Sequence, residues 1–377
     1  MFTIVIYCLF ILAALFQYGY ALFFFRRLSS IPVNKVSLPA EERQPVSIII
    51  CAKNEAANLK KNLPAILGQR YSNESGIALY EVIVVNDAST DDTEQVLNEM
   101  ELHYDNLWDV VIPLNADRDL QGKKFALSKG VDYASNEWLL LTDADCTPAS
   151  DQWLELMVAP LAKGKEIVAG YGAYNKSLGL LNAFIRWETV HTFLQYSTYS
   201  IAGKPYMAVG RNLACTKRAL QKAQAADRWN AVPSGDDDML VNIAGNKDNT
   251  TIVASEASFT FTDAKNTFKD WVKQKQRHLS TGKYYNENIK LLLAVYGCSH
   301  ALLWLSFFAL LALHRWKMTL IIMAIRCIAY WVLWAATAKK VNENNINFAL
   351  PFFDIAWMIY NFAFCPYITR KNKKHWK

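Results

Sequence analysis

The first 25 residues contain no Asp, Glu, Lys or Arg, and neither do residues 291–313. Residues 318–338 carry only Arg326 and 348–368 only Asp354. At about 1.5 Å of rise per helical residue, each run approaches the roughly 30 Å hydrocarbon core of a bilayer. The chain therefore reads as an integral membrane protein. The first run also lacks a basic leader, and Arg26-Arg27 follows it in place of a small-residue cleavage site, so residues 1–27 read as a retained anchor and not a removed secretory signal. No Cys-x-x-Cys pair occurs among the seven scattered cysteines. That argues against a disulfide framework or a zinc site and fits a reducing compartment.

Two nucleotide motifs are missing as well. Gly122-Lys123-Lys124 lacks the upstream glycine and the Ser/Thr of a P-loop, and Gly170-Tyr171-Gly172 lacks the third glycine of a dinucleotide fingerprint. The net charge of +6, with basic residues at the ends of the apolar runs, suits anionic lipid better than nucleic acid. No nucleic-acid partner is expected.

Between the runs, residues 40–290 form one large domain of mixed composition, followed by a membrane region over 291–368 and a basic tail over 369–377. Positive charge after the first run argues for a cytoplasmic domain and tail. An inside tail needs an even number of crossings after the domain, yet three apolar runs follow it. The run 348–368, with Pro351 and Asp354 near its start, is therefore expected to be re-entrant or interfacial, although His314-Arg315-Trp316-Lys317 would then face outside against the same rule. Arg326 has three readings: it faces a protein interior, it reaches a headgroup by snorkelling, or it pairs two helices. Oligomeric state leaves no trace in the sequence.

From Pro45 the pattern alternates strand and helix. Val46 to Cys51 is a β-branched run suited to a parallel sheet buried on both faces, and a helix follows over Glu55 to Gln69. A strand over Glu81 to Asn86 leads to a helix from about Asp92, for which Thr90 is the expected N-cap. Val110 to Ile112 is a third strand, Lys123 to Ala134 a helix, and Trp138 to Leu141 a fourth strand ending on two aspartates. Such repeated β-α units predict an α/β, Rossmann-like, mostly parallel sheet with helices on both faces. Ile167 to Gly170 reads as a further strand and Leu178 to Ile201 as a long helix. Its Trp187, Phe193, Tyr196 and Tyr199 suit either the membrane surface or the domain's own core.

Chemistry-bearing residues gather where the strands end. Ala52-Lys53-Asn54-Glu55 follows the first strand, Asn86-Asp87-Ala88-Ser89-Thr90-Asp91 the second and Thr142-Asp143-Ala144-Asp145 the fourth. An Asp-x-Asp occurs by chance about once in a chain of this length. In an open α/β sheet, however, strand ends share one crevice, where Asp87 could accept a hydrogen bond from a base ring NH and Asp145 could hold a diphosphate through a hard cation such as Mg²⁺ or Mn²⁺. Glu55 could equally be a favourable helix N-terminal charge and Asp87 a turn residue. Farther on, Ser234-Gly235-Asp236-Asp237-Asp238 sets three carboxylates side by side ahead of an apolar helix. Their repulsion raises at least one pKa toward that of a useful base, unless they merely favour a helix N-terminus. Gln274 to His278 lies on a helix starting near Thr267, with Arg277 suited to an anionic leaving group or to a solvated face.

The succession Ala-Lys-Asn-Glu, Asn-Asp-Ala-Ser-Thr-Asp, Gly122-Lys123-Lys124-x-Ala126-Leu127, Thr-Asp-Ala-Asp, Gly-Asp-Asp-Asp-Met-Leu and Gln-x-x-Arg-His resembles the family 2 glycosyltransferases of GT-A fold, particularly bacterial membrane-bound members, over about residues 45–285. The resemblance implies an inverting, metal-dependent enzyme of the bacterial inner membrane. Such an enzyme moves a sugar from a nucleotide sugar, a UDP-sugar for preference, to a membrane lipid, a lipid-linked saccharide or an envelope glycan. By it Ala52, Glu55, Asp87, Lys123 and Arg277 serve the donor, and Asp143 and Asp145 hold diphosphate and metal. Asp236 is the expected base with Asp237 as runner-up, and Asp238, Gln274 and His278 face acceptor or diphosphate. Asn86 stands where the family often has a first aspartate. His278 stands where processive synthases carry Trp, which counts against a polymerising synthase. An inactive scaffold or nucleotide-sugar sensor is the non-enzymatic alternative, opposed by the joint presence of Asp143, Asp145, Asp236 and Arg277.

Overall fold

The computed structural model describes residues 1–31, 38–118, 120, 122–231 and 235–369. Ser234 and the basic tail beyond Thr369 lie outside them. The apolar helix α1 (Phe2–Phe23) leads into the domain, which opens with β1 (Val46–Ala52), α2 (Ala56–Leu67), β2 (Tyr80–Asp87), α3 (Thr93–Glu101), β3 (Leu107–Ile112), α4 (Lys123–Tyr133) and β4 (Trp138–Asp143). Then come β5 (Thr147–Pro148), α5 (Trp153–Ala162), β6 (Ile167–Ala169), β7 (Gly172–Tyr174), α6 (Leu180–Ile201), β8 (Leu213–Thr216) and α7 (Lys217–Gln224). The domain closes with α8 (Asp236–Ala244), β9 (Thr250–Ile252), β10 (Thr260–Thr262) and α9 (Phe268–Leu279). Three long apolar helices follow: α10 (Glu287–Ala312), α11 (Trp316–Lys340) and α12 (Leu350–Thr369).

The main sheet runs β3-β2-β1-β4-β8-β6-β9. The β1–β2, β1–β4 and β2–β3 pairs are parallel, as the β-α alternation predicts, whereas β8 runs antiparallel to both β4 and β6. Every residue of β1 is buried, which explains why all but Ser47 are apolar. A small sheet β5-β10-β7 sits just past the end of β4. The expected cap at Thr90 is not formed. Asp91 does that work instead: its Oδ1 accepts the Thr93 amide at 3.1 Å and its Oδ2 the Ala56 amide at 3.2 Å, so one carboxylate serves the first turns of both α3 and α2. Thr90 is turned to Asn54, donating its own amide to the Asn54 Oδ1 at 2.8 Å.

The aromatics of α6 face no membrane surface. Trp187, Phe193, Tyr196 and Tyr199 are all buried. Trp187 stacks on Trp334 of α11 and meets Phe353 of α12 edge-on, so one continuous core runs from the sheet through α6 into the apolar helices. The packing energy of large aromatic side chains thus ties the domain to the helices behind it.

Among the described residues four helical segments, Phe2–Ser30, Glu287–Ala312, Trp316–Lys340 and Asn344–Ile368, are long and apolar enough to cross a membrane. Arg326 is buried between them, where its guanidinium and the ring of His300, at 2.8 Å, both engage Asp354. Opposite charge explains how these groups are tolerated in an apolar setting, and neither snorkelling nor a headgroup contact is needed. Both ends of α12 touch the domain. Ahead of it Glu343 and Asn345 engage Arg186 of α6, and toward its far end Tyr360 and Phe364 pack on Trp271 of α9.

Candidate active site

β1, β2 and β4 point their carboxyl ends at one crevice, and two of the turns there hold unusual backbone. Asn54 and Ala88 have positive φ, 55° and 52°. Left-handed backbone at non-glycine residues costs roughly 1 kcal/mol or more and concentrates at sites where geometry matters. The two turns lock each other: the Asn54 amide donates to Ser89 Oγ at 2.9 Å while Asn54 Oδ1 accepts from Thr90.

Asp143, at the end of β4, receives Lys123 Nζ at 2.5 Å from the first turn of α4. Burial alone would raise the Asp143 carboxyl, but Lys123, and beyond it Arg211 and Arg277, hold it below the usual range. Lys123 is held well above its ordinary value because Asp143 and Asp236 outweigh its own burial. Asp145 is raised, first by burial and then by the Asp143 charge beside it. Ligand atoms of Asp143, Asp145 and Cys146 lie within 4.8 Å of one another. Two carboxylates this close repel, and a hard divalent cation taking one oxygen from each relieves that repulsion, so this donor set fits Mg²⁺ or Mn²⁺.

The triplet at the start of α8 divides into three environments. Asp238 is buried, its Oδ2 accepting from Thr281 Oγ1 at 2.8 Å and Tyr285 Oη at 2.7 Å. That corrects the expectation that it faces acceptor or diphosphate: it fastens α8 to the segment after α9. Asp237 accepts the Gly210 amide at 2.7 Å, and burial followed by the Asp236 charge raises it to about 6. Asp236 is buried, and among the described residues no donor is hydrogen-bonded to its carboxylate. Gly235 makes this turn possible. Its φ is 77°, and a Cβ there would lie 2.0 Å from Thr281 Cγ2.

The other expected residues are mixed. Asp87 is almost fully buried, with Arg118 at 2.5 Å from its Oδ1. Glu55 stands at the N-terminus of α2 and accepts from Asn58 Nδ2 at 2.5 Å. Ala52 turns its methyl into the core, which leaves its backbone as the part a ligand could meet. On α9, whose start at Thr267 is where the sequence predicts it, Arg277 and His278 are exposed. Gln274 is half-buried and its Oε1 has no hydrogen-bond partner. Arg277 belongs to the charge cluster through Asp143; for Gln274 and His278 no contact with the carboxylates is seen among the described residues.

Three cationic residues of the site went unread in the sequence. Arg118 is one. Lys124 is buried with Nζ bonded to the Trp229 carbonyl and lying 4.5 Å from that ring's centre; burial lowers it to about 8 against the pull of Asp236 and Asp237. Arg211, just before β8, donates to the Gly172 carbonyl, lies over Tyr174 at 4.6 Å and faces both Asp143 and Asp145. Gly172 explains the glycine pair that is no dinucleotide fingerprint: a Cβ there would lie 2.3 Å from Arg211 Nε. Gly172→Ala is therefore expected to displace the Arg211 guanidinium from the neighbourhood of the two aspartates and weaken diphosphate binding by about tenfold to a hundredfold, the worth of one or two charge-assisted hydrogen bonds. Titration of the nucleoside diphosphate into the variant, alongside its melting curve, checks this; unchanged affinity in a folded variant would remove Arg211 from the site.

Known proteins fit this geometry. The family model described as glycosyl transferase family 2 matches residues 47–220, and that described as glycosyl transferase family group 2 matches residues 138–341. The glycosyltransferase AglE of Haloferax volcanii is 35% identical over 126 residues, 33% of this chain and 38% of that protein. The beta-monoglucosyldiacylglycerol synthase of Nostoc sp. is 32% identical over 124 residues, 33% of this chain and 25% of that one. The chain thus aligns with well under half the length of these relatives. Among solved structures, a mannosyltransferase from Pyrobaculum calidifontis in complex with GDP-Man and Mn²⁺ superposes with a TM-score of 0.56 at 19% identity, covering 94% of this chain and 97% of that one. Its likeness establishes the GT-A fold. With a family model spanning more than half its length, the chain belongs to the family 2 glycosyltransferases, enzymes that act on nucleotide sugars.

Proposed function

We propose that this protein is an inverting, single-transfer glycosyltransferase that uses a UDP-sugar donor, requires a divalent cation, and acts from the cytoplasmic face of a bacterial inner membrane on a lipid-borne hydroxyl. The observation that carries the reading is the convergence of Asp143, Asp145, Asp236, Asp237, Lys123 and Arg211 into one charge cluster at the strand ends, with Asp236 left without a hydrogen-bond donor among the described residues. Asp87 accepts from the ring NH of the base and Arg118 borders the same edge. Glu55 lies beside the nucleoside, with the backbone at Ala52 forming the floor.

Asp143 and Asp145 would hold the cation, which when bound neutralises the diphosphate. Lys123, Arg211 and Arg277 spread the leaving group's negative charge over three further cations, which stabilises it more as it departs than before. Asp236 takes the proton of the acceptor hydroxyl as that oxygen attacks the anomeric carbon from the face opposite the diphosphate. One base and one displacement invert the anomeric configuration, by the geometric reasoning that applies to inverting hydrolases.

In this reading α1, α10 and α11 cross the bilayer, whereas α12 is re-entrant: Asp354 near its start reaches Arg326 and His300 midway along α11 and α10, and its far end returns to the domain. A helix of 20 residues spans about 30 Å, and one that crossed would carry its far end that distance from the domain, away from Trp271. Two crossings after the domain then keep the basic tail on the domain's side, in agreement with its charge.

The test is release of nucleoside diphosphate by the purified protein from a panel of nucleotide sugars, with and without Mn²⁺ and lipid extract. We expect release from a UDP-sugar that needs both additions and yields one discrete product. A ladder of oligomers from a single donor would replace single transfer by processive synthesis.

A further inference from the structure

A groove of about 520 Å³ opens where α1 and α10 leave the domain. Its walls are largely apolar, Phe16 and Tyr20 from α1 and Leu291, Leu292 and Val295 from α10, all within about two and a half turns of the domain ends of two helices fit to cross a membrane. The seam between the helices is fixed there, since Tyr20 Oη donates to the Leu292 carbonyl at 2.5 Å. Asn288 and the exposed Lys204 also line the groove. Among the described residues the Lys204 ammonium has neither an ion-pair nor a hydrogen-bond partner. Glu287, the nearest acidic residue along α10, is occupied by Lys290 at 2.8 Å.

We propose that this groove binds the hydrocarbon chain of a lipid whose head carries phosphate or diphosphate, with Lys204 on the anionic oxygens. Apolar walls at membrane depth suit an acyl or isoprenoid chain, and an unpaired cation at the domain end suits an anionic head. A neutral lipid gains nothing from Lys204, and a soluble anion gains nothing from the walls. The position has a consequence for the reaction. Lys204 is six residues before Gly210, whose amide holds Asp237, and a chain of that length reaches at most about 21 Å. Between them Tyr206 packs on Tyr285, which in turn bonds Asp238. A lipid-linked saccharide anchored through its phosphate at Lys204 therefore has its sugar within reach of the aspartate triplet. Naming this lipid the acceptor carrier rests on the glycosyl-transfer reading; its binding to the groove does not.

The experiment uses the full chain in phosphatidylcholine nanodiscs, labelled in parallel with a benzophenone-bearing farnesyl diphosphate and its farnesol counterpart, with peptides mapped by mass spectrometry. Expected is diphosphate-dependent labelling of residues 16–20 and 288–295 at about ten times the farnesol level, the fold-change of one charge-assisted contact. Lys204→Glu should bring it down to that level and Lys204→Arg should keep it, while inorganic pyrophosphate should leave it unchanged. Equal labelling by farnesol, indifference to Lys204→Glu, or displacement by pyrophosphate would each overturn the proposal. Binding of UDP with Mn²⁺ to the same Lys204→Glu preparation confirms that the protein is folded. Absence of nucleoside diphosphate release from every nucleotide sugar, with labelling intact, would sink the transfer reading and leave the lipid site standing.

Discussion

Replacing Asp236 by Asn is expected to lower kcat by about a thousandfold or more while the affinity for nucleoside diphosphate changes by less than a few fold, because a positioned general base contributes on the order of 10² to 10⁴ in rate and no binding energy to the donor. Asp237→Asn is expected to behave differently. The Asp237 carboxylate is engaged by the Gly210 amide and lies beside Asp236, so its change should cost less in kcat and act mainly on the acid side of the pH profile. Asp237 ionises only as pH rises through about 6, hence wild-type activity should fall below that value and the limb should move in the variant. The sign for stability is opposite to that of an ordinary salt-bridged aspartate. A folded-state value raised above the usual carboxylate range favours the native state at low pH and loses that advantage as pH rises through about 6, so Asp237→Asn should be more stable relative to wild type at pH 7 than at pH 4. Steady-state kinetics across pH 5 to 9, paired with thermal melts, separates the two roles. If Asp237→Asn carries the large kcat loss and Asp236→Asn the small one, the base is Asp237.

How far the sequence discloses this site follows from where each residue sits. β1, β2 and β4 are continuous apolar runs that end on polar clusters, so Asp87, Asp143 and Asp145 are legible as neighbours once a parallel sheet is assumed. Thr267 is legible as the start of α9 because N-capping is a local act. Arg211 and Arg118 are not, since no local pattern marks them, and Lys124 stands inside the Gly122-Lys123-Lys124 motif, which assigns it no role. Arg211 comes near the aspartates because β8 inserts antiparallel beside β4 and Gly172 gives it room. Lys124 is turned inward by Trp229, a contact across 105 residues. The α6 aromatics were ambiguous for a related reason: an apolar face that meets other apolar helices has the same pattern as one that meets lipid. Asp238 shows the converse, in that adjacency to Asp236 and Asp237 suggests a shared task, while helix geometry turns it to Tyr285 and Thr281.

Removing the divalent cation should have an effect as large as removing the base. Asp143 and Asp145 stand close, and of the two Lys123 balances only Asp143. Asp145 is thus the carboxylate whose charge lacks a tight counter-ion, and it is the one most in need of a metal. Asp145→Asn is expected to weaken Mn²⁺ binding by about a hundredfold, since one hard anionic ligand of two is lost, and to lower kcat/KM by about 10² to 10³. Asp143→Asn should be worse for the folded protein than for metal binding alone, because it also strands the Lys123 ammonium in a crevice that burial already penalises. Mn²⁺ affinity read by its paramagnetic resonance signal, with UDP present and absent, distinguishes these variants without reference to turnover. Full activity in excess chelator, or a wild-type Mn²⁺ signal in Asp145→Asn, would mean that Lys123, Arg211 and Arg277 carry the diphosphate unaided. The three cations could do so only if the two aspartates were protonated or repelled apart, and the Lys123 contact at 2.5 Å argues that Asp143 at least is ionised and fixed in position.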